Sequence, residues 1–156
     1  MLRHQNRFKI LKNISSMNKI SVNPYINFNG NCEAAFNFYQ SVFGGEFTYI
    51  SRFKDMPERT VAAEYAEQIM HVSLPISDEF VLMGSDTPEQ PVQVGNNISL
   101  SINAHSEADA DNLFNGLSAG GTVIMAMSKT FWGAYFGMFT DKFGINWMIN
   151  YDYPRD

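Results

Sequence analysis

A single cysteine, Cys32, stands in 156 residues. That count excludes an intramolecular disulfide and a cysteine-built metal cluster, and it suits a reducing cytoplasm. Charge is scarce as well. Asp, Glu, Lys and Arg make up 17% of the chain, against roughly 25% in an average soluble domain. No stretch reaches the roughly 18 apolar residues of a membrane span. The first residues lack the apolar run of a secretory signal. There is no glycine-rich loop for a nucleotide or methyl-donor cofactor, no P-loop, and no His-Glu pair at metal-binding spacing.

Basic residues are sparse and unevenly placed. Residues 1–16 contain Arg3, Arg7, Lys9 and Lys12 and no acid, so the remainder holds 7 basic and 16 acidic side chains, a net charge of −9. A body that acidic argues against nucleic-acid or anionic-membrane partners. Residues 1–19 are expected to form a disordered tail; a targeting peptide is the sharper alternative, because the segment is basic.

Aromatic side chains are plentiful, at 14% with 13 Phe, and apolar residues reach 45%. That composition supplies a packed core, an aromatic-lined pocket, or both. The length fits one domain or two small packed modules.

The chain repeats an order of elements. Residues 23–47 read as strand, polar turn, apolar-periodic helix, Gly-Gly stop and strand, and residues 96–123 read the same way. Gly44-Gly45 matches Gly120-Gly121 at an offset of 76. Such a duplication limits both the fold and the place of a site.

In module one, residues 20–84, strands are expected at Tyr25–Phe28, Glu46–Phe53, Gln68–Pro75 and Glu79–Met83. Cys32, Ala35, Phe36, Tyr39, Val42 and Phe43 share one helical face, and Asn31 is placed to cap that helix. In the third strand, alternation puts Ile69, His71 and Ser73 on one face. Residues 54–66 read as an excursion, extended or with a helical turn. Residues 85–95, broken by Pro88, Pro91 and Gly95, read as a linker. Module two, residues 96–151, begins with a strand at Asn97–Asn103 and a helix capped by Ser106, with Ala110, Leu113, Phe114 and Leu117 on its apolar face. Strands at Thr122–Met127, Gly133–Thr140 and Asn146–Asn150 follow, and the Asp141 side chain stabilises the last turn. The fold class is α+β, two tandem βαβββ modules.

Three histidines bear on chemistry. His4 is in the tail and His105 precedes the second helix. His71 is either a hydrogen-bonded strand residue or a ligand-contacting donor and weak general base. Trp132 and Tyr135 flank Gly133, packing in the core or stacking on a ligand at a rim. Glu64, Arg52 and Asp86 read as solvated charges that could reach such a mouth.

The ordered set Pro24-Tyr25-Ile26-Asn27-Phe28, Gly30-Asn31 with Glu33-Ala34-Ala35, Phe38-Tyr39, Val42-Phe43-Gly44-Gly45, Ile69-Met70-His71, Trp132-Gly133, and Asp141 to Gly144 with Trp147 resembles the PhnB-like branch of the vicinal oxygen chelate superfamily, which includes glyoxalase, bleomycin-resistance and dioxygenase proteins. The family pattern has proline where Lys142 stands. The resemblance implies that each module's strands curl into half of a cup, completed within a chain or across a homodimer. It also implies a divalent metal held by His, Gln or Glu from the first and last strands of each module. Those positions map to Pro24, Met83, Asn97 and Met148, a set without a strong donor for a divalent ion. The expectation is a metal-free protein binding a small apolar or aromatic molecule, with His71, Trp132 and Tyr135 as contacts. The alternatives are an enzyme of lyase, isomerase or dioxygenase-like type using a shifted site near His71 with Glu64, and a structural or interaction dimer.

Overall fold

A computed structural model describes residues 21–57 and 61–155. The expected tail, residues 1–19, lies outside the described residues. Module one runs β1 (Tyr25–Phe28), α1 (Cys32–Phe43), β2 (Tyr49–Arg52), β3 (Ile69–Pro75) and β4 (Val81–Asp86). Module two runs β5 (Leu100–Asn103), α2 (Glu107–Ser118), β6 (Thr122–Lys129), β7 (Ala134–Thr140) and β8 (Asn146–Asp152). Each module is a βαβββ unit with one four-stranded sheet, ordered β1-β4-β3-β2 in the first and β5-β8-β7-β6 in the second. The first and last strands of each module pair in parallel and the others antiparallel.

The helices form where apolar side chains recur at helical spacing. Cys32, Ala35, Phe36 and Tyr39 of α1 are buried, as are Ala110, Phe114 and Leu117 of α2. Each large side chain removed from water here contributes roughly 1.5–3 kcal/mol. Gly44 and Gly45 end α1 at φ 76° and 78°, a conformation that penalises any Cβ. Ser106 caps α2 by accepting the Asp109 N–H at 3.1 Å. Asn31 makes no such bond. The Cys32 N–H is taken instead by Asp86 Oδ1 at 2.9 Å.

α1 packs on β3 and β4, α2 packs on β6, β7 and β8, and the helices lie against each other. One core therefore spans both modules. Tyr39 and Phe43 of α1 meet the Trp147 ring at centroid distances of 5.7 and 6.0 Å. The Tyr39 hydroxyl donates to Asp141 Oδ2 at 2.8 Å.

Several boundaries differ from the sequence expectation. β5 starts at Leu100, three residues later than expected, and β4 extends through Asp86, into the stretch read as linker. The 54–66 excursion carries short 3₁₀ turns at Phe53–Asp55 and Ala63–Tyr65. A register shift between Ser51 and Arg52 pairs Arg52 with Ile69. It separates Ile69 from the His71 face and buries it in the core.

Candidate functional site

Each sheet has one face under its helix and one open face. Val72, Leu74 and Leu82 are on the helix side of module one, so β-alternation turns His71, Ser73 and Met83 to the open side. Strand register assembles that open face into two rows. Tyr25, Met83, Ser73 and Tyr49 stand side by side across all four strands. The second row contains Asn27 beside Ser85, and His71 beside Ser51.

His71 is the centre of this face. Its Nδ1 lies 3.1 Å from the Tyr25 hydroxyl and its Nε2 lies 2.9 Å from Ser73 Oγ. Whichever nitrogen carries the proton, each meets a hydroxyl able to donate or accept. Both nitrogens are thus engaged within the chain. The Tyr25 ring stacks on the imidazole at 5.5 Å and 28°, and the Tyr49 ring tilts against it at 5.6 Å and 51°. The module does not cover this face: Tyr25 and Tyr49 are 45% and 52% exposed.

The same construction in module two carries different chemistry. One row is Ser101, Met148, Met138 and Met125; the next is Asn103, Asn150, Phe136 and Ser128. Phe136 occupies the place that His71 has in module one. Trp132, in the β6–β7 turn, meets the Phe136 ring edge at 6.1 Å and belongs to this second face. Tyr135 faces the other way. Its hydroxyl donates to Asp111 Oδ1 of α2 at 2.9 Å, and that bond is the first cause raising the phenol's pKa. So the structure separates the three expected contacts: His71 on one open face, Trp132 at the border of the other, Tyr135 on a helix side.

The other candidate charges also resolve. His105 is exposed before α2, and Glu64 is exposed in a 3₁₀ turn. Arg52 is tied to Glu33 of α1 by two bonds of 2.6 and 2.9 Å, which hold the Glu33 carboxyl below its ordinary range. Asp86 is not a solvated charge. It is 3% exposed and accepts the Cys32 and Ile69 N–H groups, both at 2.9 Å. The Tyr25 and Tyr49 contacts to His71 were missed in the sequence, because they arise from register between distant strands.

The paired βαβββ units, with parallel first and last strands and an open face on each sheet, have a counterpart among known families. The Glyoxalase/Bleomycin resistance protein/Dioxygenase superfamily model matches residues 21–149. The chain belongs to this superfamily. Protein YjdN of Escherichia coli strain K12 is 31% identical to it over 140 residues, 83% of this chain and 93% of YjdN. Protein PA1353 from Pseudomonas aeruginosa is similar in structure, with a TM-score of 0.77 at 42% identity, covering 85% of this chain and 98% of that one. The PhnB protein from Bacillus cereus shares the fold at a TM-score of 0.70 and 23% identity, over 85% of this chain and 99% of that one.

Superfamily membership raises the question of a divalent metal. On the first and last strands, the paired open-face positions are Tyr25 with Met83 and Ser101 with Met148. Pro24 and Asn97, expected there from the sequence, precede their strands. A phenol, a hydroxyl and two thioethers do not fit a divalent ion such as Zn, Ni, Mn or Fe, which carboxylate and imidazole donors hold. Among the described residues, no three His, Cys, Asp or Glu side chains converge to hold one. No described helix is long and apolar enough to cross a membrane.

Proposed function

We propose that this superfamily member binds a small apolar or aromatic molecule without a metal, on the open face of module one around His71. The observation that carries the reading is the imidazole set between the Tyr25 and Tyr49 rings on an uncovered sheet face. Such a wall offers stacking area and hydroxyl groups, the two things a small aromatic ligand uses. The protein acts as a homodimer in the cytoplasm. Exposed apolar side chains on β6, Val123, Ile124 and Met125, give two copies a reason to associate. Its acidic charge balance disfavours nucleic acid and membrane as partners.

The test is direct. Elemental analysis of purified protein is expected to find no stoichiometric Zn, Ni, Mn or Fe. EDTA-treated protein should bind the uncharged dye nile red as untreated protein does, and His71→Ala should weaken that binding. Sedimentation should give twice the mass of the chain. Near-stoichiometric, tightly held metal, or binding that EDTA abolishes, overturns the metal-free reading.

A second reading, an enzyme of lyase, isomerase or dioxygenase-like type, draws on the hydrogen-bonded series Tyr25–His71–Ser73. There His71 would move a proton to or from a bound molecule. Turnover that survives unchanged in a folded His71→Ala variant removes His71 from that role.

A further inference from the structure

No described Lys, Arg, Asp or Glu stands in the two open-face rows of module one. Five Lys or Arg residues are described: Arg52, Lys54, Lys129, Lys142 and Arg155. Arg52 is held by Glu33 at 2.6 Å, and Lys54 by Glu67 at 2.8 Å. Lys129 lies 3.8 Å from Glu107, and Lys142 sits 4.3 Å above the Phe38 ring. Arg155 follows β8. None belongs to the rows of Tyr25, Met83, Ser73 and Tyr49 or of Asn27, Ser85, His71 and Ser51, and no acid does either.

An anion on this face would give up hydration with no described Lys or Arg in these rows to replace it, on a body of net charge −9 outside residues 1–16. An ammonium group would meet no carboxylate in these rows. The polar capacity that is left is neutral. Tyr49 meets His71 through its ring, so its hydroxyl is unspent among the described residues.

We propose that the open face of module one takes an uncharged aromatic molecule carrying a hydroxyl or amide group. Its ring lies against the wall of Tyr25, His71 and Tyr49, and its polar group bonds the Tyr49 hydroxyl. The proposal rests on the reading of that face as a small-molecule site, and it ranks carboxylates and phosphonates below uncharged ligands there.

Three probes sharing a phenyl ring test it near neutral pH: 4-hydroxybenzamide, 4-hydroxybenzoate and phenylphosphonate. Affinity is measured by titration while the His71 ring signals are followed by NMR. 4-Hydroxybenzamide is expected to shift the His71 signals and to bind at least about tenfold tighter than either anion. Tyr49→Phe keeps the ring and removes only the hydroxyl, so amide binding should weaken several-fold while the fold is retained. An anion that shifts His71 with equal or greater affinity overturns the uncharged class and leaves the binding site standing. Unchanged amide affinity in Tyr49→Phe overturns the assigned contact. If none of the three shifts His71, the binding reading itself fails and the proposal falls with it.

Discussion

Asp141 is 3% exposed, yet its carboxylate meets four donors. Oδ1 accepts the Phe143 and Ile145 N–H groups at 2.8 and 3.0 Å; Oδ2 accepts the Tyr39 hydroxyl at 2.8 Å and Trp147 Nε1 at 2.9 Å. The turn role was legible from the sequence. The reach to Tyr39, 102 residues away, was not. Burial first, and then the Asp141 charge, push the Tyr39 phenol well above its ordinary pKa of 10.0. The fold therefore favours the neutral phenol. That contribution is complete below about pH 10, where the unfolded phenol is also neutral, and is lost as pH rises beyond it. Cys32 behaves likewise from about pH 9, because burial, then Asp86 and Glu33, raise its thiol. Tyr39→Phe should cost about 1–2 kcal/mol at neutral pH. Above about pH 10 the wild type should lose up to roughly 1.4 kcal/mol more per pH unit than the variant. Urea unfolding midpoints across the alkaline range read both effects. Parallel pH profiles in the two proteins would discard Tyr39 as the source.

At the scale of elements, Asp86 anchors two starts at once. Its Oδ1 holds the first N–H of α1 and its Oδ2 the first N–H of β3. Asp86→Asn keeps one acceptor oxygen but turns an amide NH₂ toward a backbone N–H. It should destabilise by about 1–3 kcal/mol, as loss of a cap and a buried partner does. Amide exchange at Cys32 or Ile69 should speed up selectively; unaltered protection at both would refute the brace. Local pattern made β1 and α1 readable, since two-residue and helical periodicities are contained in the segments themselves. It placed His71 and Ser73 on one face for the same reason. The long-range contribution of Asp86 has no local signature, and Asn31 looked like the cap because only neighbours were in view. The shift at Ser51 and Arg52 broke the alternation that had joined Ile69 to His71. Tyr135 was grouped with Trp132, but Trp132 lies in a turn, where strand parity does not hold; Tyr135 pairs with Lys129 and Tyr151 and faces α2.

Over the whole molecule, the duplication fixes a common frame and leaves its contents free to differ. His71 in one frame is Phe136 in the other, and Met83 has its counterpart in Met148. The frames are joined through their helix sides rather than through their open faces. Gly116 of α2 permits this close contact: a Cβ there would stand 3.0 Å from Val42 Cγ1 of α1. Phe38 of α1 meets Phe143 after β7 at 5.7 Å. A core shared so extensively makes an independent unfolding of either module costly, because each would expose the other's half of the interface to water. Both tryptophans lie in module two, and only Trp147 is buried. Trp147 emission and helix-sensitive circular dichroism, which also sees α1, should therefore change at the same urea concentration. Non-coincident transitions would mean that the modules unfold separately. In that case the α1–α2 contact would be adjacency without coupling, and the two open faces would owe their relative placement to the linker alone.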